Sequence, residues 1–231
     1  MSTPTFNAST SDERRVVTPA STRTLLTAGV IAGPLFLTAA AAQVVTRGGF
    51  DLGQHPISLL ALGDLGWIQI GNFVITGLLV IAFAVGVGRV LRDGRGSRWI
   101  PRFLAGFGLG LIVAGAFVAD PENAFPAGTP DGPASAITWR GILHGVGAGL
   151  AFDSLIVACI LLALRLKKAG QRIGALASAA VALALLVVPA PVSTDGLSIR
   201  LAVAALIAFG TSSVLAVWLL GQTADHSRQA R

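Results

Sequence analysis

Two histidines and two aspartates are the side chains in this chain best suited to acid–base or metal chemistry. Asp51 and His55 stand four residues apart, so a single helical turn would bring them to one face. Asp120 and His144 could complete a four-ligand set of the kind that zinc or another divalent ion accepts. The spacing does not specify a metal site. No HExxH and no second helix-borne histidine pair accompanies it, and the third histidine, His226, lies near the C-terminus. His55 as a loop-capping residue and His144 as a hydrogen-bonded packing residue are the competing readings. Ser58 lies close to His55, but no glycine elbow supports it as a nucleophile. The sequence names no cofactor.

A second set of polar residues falls within long apolar runs. Gln69, Asn72 and Thr76 recur at i, i+3 and i+7, which puts them on one helical face. Inside a membrane such groups must find a partner or line a wet cavity, so that face should look inward. Gln43 approaches from the end of the preceding run. Asp153 falls near the middle of another run, where a charge is most costly. Nine residues separate it from His144, and at ~100° per residue the two should lie on opposite sides of their helix. The leading reading of Asp153 is a neutral, hydrogen-bonded structural acid; a proton or cation site and a partner for a basic group are the alternatives.

The elements that position these residues follow from composition. Hydrophobic residues make up 53% of 231 positions and charged ones only 12%, which calls for a bilayer as solvent. A spanning helix needs roughly 20 apolar residues. Six segments qualify: 24–46, 68–91, 99–119, 142–164, 173–190 and 197–220. The expected fold is therefore all-α, a polytopic bundle of six transmembrane helices over residues 24–220. A disordered tail at 1–23, rich in Ser, Thr and Pro, and a C-terminal tail at 221–231 flank it.

Charge sets the orientation. Of 17 Lys and Arg, only Arg47, Arg140 and Arg200 fall on the first, third and fifth connections; the rest fall on the tails and the other two connections, at 89–102 and 165–172. By the positive-inside rule both termini are cytoplasmic. The net charge of +6 then reports insertion and contact with anionic lipid headgroups, so nucleic acid is not an expected partner. Ala39, Ala40 and Ala41 could mimic a signal-peptidase site, but the apolar run continues through Val44 and Val45, which favours a retained first helix. Cys159 is the only cysteine, which rules out an intramolecular disulfide.

Helix packing and loops complete the expectation. Gly106, Gly108 and Gly110 on the third helix and Gly141, Gly145 and Gly149 on the fourth form small-residue ridges that predict close approach between these two helices. Pro56 suits the first turn of a short amphipathic segment lying at the interface, with Trp67 anchoring the second span. The third connection, with Pro121, Pro126, Pro130 and Pro133, should be irregular but stiff, and Phe125 should dip into the interface. With no internal repeat, no broken helix and few charges in the spans, an inverted-repeat transporter is disfavoured.

The run from Gly48 to Gln69, with Asp51, His55-Pro56-Ile57-Ser58, Leu59, Gly63 and Gly66-Trp67-Ile68-Gln69, resembles the actinobacterial membrane proteins called domain of unknown function 998. Ala119-Asp120-Pro121, Phe125-Pro126 and Gly141-Ile142-Leu143-His144 are similar to the same family's outer loop and fourth helix. The resemblance covers roughly residues 24–220 and implies a six-helix bundle in a bacterial plasma membrane. It implies no reaction.

Function then divides into classes. The leading one is non-enzymatic: an outward-facing polar pocket of Asp51, His55, Gln69, Asn72, Asp120 and His144, with Gln43 beside it, that recognises a lipid headgroup, a small molecule or a partner protein. A metal-dependent lipid hydrolase or transferase using His55, Asp120 and His144 is the second, and a small transporter relying on Asp153 the third. Membrane lipids are the expected partners, and assembly with further copies of the chain is open.

Overall fold

A computed structural model describes residues 19–94, 96–190 and 196–229. Most of the expected N-terminal tail, with Arg14 and Arg15, lies outside the described residues. Six α-helices and one short 3-10 turn make up the structure, and no β-strand occurs among the described residues: α1 (Pro19–Thr46), the turn (Ile57–Ala61), α2 (Gly66–Val90), α3 (Trp99–Ala116), α4 (Trp139–Lys168), α5 (Arg172–Val187) and α6 (Leu197–Gln229). Five of the helices are long and apolar enough to cross a bilayer. The protein is a helical, multi-pass membrane protein. The side bearing residues 47–65 and 117–138 is called outer below, after the charge rule.

α5 departs from the expected length. It holds 16 residues, which at ~1.5 Å each extend roughly 24 Å, short of a hydrocarbon core of ~30 Å. Pro189 follows two residues after its end, has no N–H to continue the ladder, and stops the helix before the outer surface. α6, by contrast, runs past the expected limit at residue 220 to Gln229.

The helices pack in chain order, α1 on α2, α2 on α3, α3 on α4 and α4 on α5, with α1 closing back onto α6. α5 touches α6 sparingly, and among the described residues α4 and α6 hardly meet. Among the described residues the ring therefore has a seam between α4 and α6.

Glycines set the close approaches, though partly not the expected ones. A Cβ on Gly110 would stand 2.6 Å from the carbonyl oxygen of Gly147, and one on Gly147 would stand 2.6 Å from the backbone nitrogen of Ala114. The α3–α4 contact is thus made through Gly147, with Gly106 against Ser154, while Gly145 and Gly149 face open space. Gly141 packs on the Asp120 carboxylate. Gly108 turns the other way, 2.5 Å as a built Cβ from the Gly77 carbonyl on α2. Such backbone proximity is how helices associate where lipid supplies no hydrophobic drive.

The first outer loop differs from the expected surface segment. Pro56 does precede a helical turn, but Leu59, Leu60 and Ala61 of that turn are buried against α1, α2 and α6. The segment caps the bundle from above, because its three consecutive apolar residues gain more from protein packing than a one-sided interface contact allows. Phe125 is likewise 2% exposed, wedged between Phe50 and the His55 ring, so it does not dip into the lipid interface. Trp67 and Trp139 are exposed at the outer ends of α2 and α4, the positions of interfacial anchors.

Candidate functional site

The six residues expected to share a pocket divide into three groups. The first, Asp51 with His55, closes on itself within the loop. The Asp51 backbone N–H donates to His55 Nδ1 at 2.9 Å, so Nε2 carries the proton and donates to the Asn123 carbonyl at 2.7 Å. Both ring nitrogens are therefore engaged, and His55, 3% exposed, ties the first outer loop to the third. Ser198 donates to the Gln54 carbonyl and joins the start of α6 to the same knot, while Arg47 donates to the Leu62 carbonyl and lies over Phe125. This is loop architecture, and it supports the capping reading of His55.

The Asp51 carboxylate is exposed and accepts from the Gly53 N–H and the Gln54 side chain. The Gly53 bond is the main reason its pKa lies below the usual 3.8, with Gln54 adding to the effect. A depressed carboxylate contributes its order above the unfolded value and loses it as pH falls through the folded one. Protection of the Gly53 amide in hydrogen exchange should accordingly persist from neutral to mildly acidic pH and disappear only below 3.8. Loss of protection already at pH 5 to 6 would contradict this account.

The second group is the amide face of α2. Gln69, Asn72 and Thr76 are buried on one face, as their spacing predicts. That face meets α1: Gln43 donates to Gln69 Oε1 at 2.7 Å, and Asn72 donates to the Phe36 carbonyl at 3.1 Å and to Gln69 at 3.3 Å. Thr76 continues the ladder to Asn72. The Gln43 and Phe36 bonds lock α1 to α2, and none of the three side chains is among the residues lining the cavity of the outer half.

The third group, Asp120 and His144, does reach a cavity. Asp120 accepts from the Thr138 backbone N–H at 2.9 Å and from the Thr138 hydroxyl at 2.6 Å, and Thr138 in turn caps α4 by accepting from the Gly141 N–H. His144 lies one turn deeper on α4. Its Nδ1 sits 2.8 Å from the Ala114 carbonyl and 3.0 Å from that of Phe117. Carbonyls only accept, so Nδ1 carries the proton and Nε2 is left as an acceptor. His144 is 9% exposed, and its edge contact with Phe73 fixes the ring plane.

The cavity measures about 430 Å³ and occupies the outer half of the bundle. Its roof is the Pro56–Leu59 turn and its floor an aromatic cluster in which Phe36 stacks on Phe209 at 4.0 Å and Phe107 leans on Phe209 at 5.6 Å. Leu111, Ala148, Leu201 and Ala205 form walls from α3, α4 and α6. The lining is predominantly apolar, unlike the polar pocket expected. The reason is geometric: the amide face of α2 is spent on α1 and the first-loop polar groups are spent on each other. Ser58, Asp120, Glu122 and His144 supply the polar minority. Glu122 escaped sequence reasoning, although its position two residues after Asp120 was the available signal. The α6 residues carried no signal, being apolar like the rest of their span.

Asp153 lies apart from all three groups. It is exposed on the outer surface of α4 while Ser154 and Leu155 beside it are buried, half a turn from His144 as expected. The intramolecular partner expected for it is absent among the described residues. Nor do the proposed metal ligands converge: no group of three or more His, Cys, Asp or Glu able to hold an ion occurs among the described residues. His55 has no nitrogen to offer, and only Asp120 and His144 share a cavity.

Over residues 30–225 the chain matches the family described as protein of unknown function (DUF998). No curated protein and no solved structure matches it.

Proposed function

The chain belongs to the DUF998 family, and from that premise and the site's geometry we propose that it is a non-enzymatic membrane protein, resident in a bacterial plasma membrane, that binds an amphiphilic molecule in its outer-half cavity. One observation carries the reading: a cavity of about 430 Å³, within the size range of small-molecule sites, that is apolar along its walls and polar only at its outer end. That gradient matches the polarity of a lipid lying in the outer leaflet. An empty apolar space of this size would cost packing, since interiors are otherwise close-packed.

A metal-dependent hydrolase finds no support in the arrangement, because its three candidate ligands are not brought together. Transport through Asp153 finds none either, since that carboxyl faces away from the cavity. Native mass spectrometry of protein released from lipid nanodiscs tests the proposal. The wild type should carry one adduct the size of a single-chain amphiphile, and Ala205→Phe, which places a ring in the cavity, should lose it. A wild type free of any adduct, or an adduct unaffected by Ala205→Phe, would remove the reading.

A further inference from the structure

The polar groups of the cavity share one property: each of them presents an acceptor, and only the Ser58 hydroxyl can also donate. His144 is the clearest, because the Ala114 and Phe117 carbonyls claim its only N–H and leave Nε2 with no partner among the described residues, in a residue nine-tenths buried. Asp120 keeps lone pairs beyond those that Thr138 uses, and the Glu122 carboxylate has no side-chain partner among the described residues. Among the described residues no Lys or Arg lines the cavity; the three basic residues of the outer side, Arg47, Arg140 and Arg200, all lie outside its lining. An anionic head would meet two carboxylates with no counter-charge, whereas a cation with N–H donors would meet complementary charge and three free acceptors.

The shape restricts the apolar part. At roughly 30 Å³ for each water-sized group, 430 Å³ holds on the order of fourteen chain atoms, enough for one chain and too little for two. The route in is also visible. Ile142, one turn into α4, lines the cavity and is 55% exposed, so the cavity reaches the surface of the bundle beside the outer end of α4. A molecule in the outer leaflet can enter past Ile142 without leaving the lipid.

Resting on the cavity reading above, we infer that the ligand is a single-chain amphiphile with a protonated amine head, taken laterally from the outer leaflet past Ile142, its head held by Glu122, Asp120 and His144 Nε2. The chain lies along Leu111, Ala148 and Leu201 toward the phenylalanine floor. Hydroxyl heads satisfy the acceptors without the charge and bind less tightly, and sulfate heads bind least.

The test uses the full chain in uncharged phosphatidylcholine nanodiscs with a diazirine-bearing tetradecylamine, the labelled residues being mapped by mass spectrometry. Labels should fall on α3, α4 and α6 residues of the cavity, and unlabelled tetradecylamine should compete about tenfold better than tetradecyl sulfate, the scale of one partly screened charge interaction. Glu122→Gln, which removes a charge from a loop and no packing, should cut that preference severalfold while leaving labelling in place. His144→Phe should weaken both amine and alcohol. If the sulfate competes as well as the amine, or Glu122→Gln leaves the preference intact, the head assignment falls and the cavity reading stands. If no chain labels the cavity, both fall.

Discussion

Replacing Gly147 with leucine should remove most of the folded protein, whereas the same change at Gly145, two residues away, should cost almost nothing. A Cβ at 147 would stand 2.6 Å from the Ala114 nitrogen, 2.9 Å from Val113 and 3.0 Å from the Gly110 carbonyl, so α4 would have to move off α3. Overpacking against movable side chains costs ~1–3 kcal/mol, and here the obstacle is mostly backbone, so a loss of about 3 kcal/mol or more is expected. At Gly145 nothing lies within 4 Å, and leucine is the better helix former. Unfolding by sodium dodecyl sulfate, followed through the four tryptophans, compares the two variants directly. Equal stability of Gly147→Leu and Gly145→Leu would overturn the packing. The consequence for the site is immediate. Displacing α4 pulls His144 from the Ala114 and Phe117 carbonyls, and with them goes the tautomer that makes Nε2 an acceptor.

The same pair of glycines marks how far the sequence could be read. Length and apolarity located the six helices, since spanning a bilayer leaves few alternatives. The regular four-residue spacing of Gly141, Gly145 and Gly149 pointed to the wrong side of α4, because spacing identifies a ridge and not which neighbour it faces. Gly147, Ala151 and Ser154 form the ridge that meets α3, and they are equally small and nearly as regular. For the site, depth was legible and direction was not. Asp120 and His144 fell on the expected side and at the expected height. Gln69 and Asn72 did so too, yet they serve α1, and only the pairing of α1 with α2 could have told that. Asp51 and His55 do meet, as residues four apart should, but through a backbone N–H in a turn that leaves no metal-ligating nitrogen.

Substituting Asp153 should separate two quantities that buried polar residues normally tie together. The residue sits halfway along the 30-residue α4, so roughly 20 Å of helix lies on either side and the carboxyl is near the bilayer centre. It is exposed on the surface of α4, with no hydrogen bond among the described residues, and its side chain is too short to reach the headgroups as Lys does. Its cost therefore falls on inserting α4. An aspartate at the centre of a spanning helix costs about 2.5–3.5 kcal/mol on insertion scales. In a glycosylation assay of the window 144–162, Asp153→Leu should recover about that much. Assembly of the bundle is a different matter: the side chain meets lipid both before and after the helices pack, so the folded stability of Asp153→Leu in nanodiscs should equal that of the wild type. Gln69→Leu is the contrast, expected to weaken the bundle by about 1 kcal/mol because its bond to Gln43 on α1 forms only on packing. A stability loss in Asp153→Leu as large as that of Gln69→Leu would show that this carboxyl has a partner in the membrane.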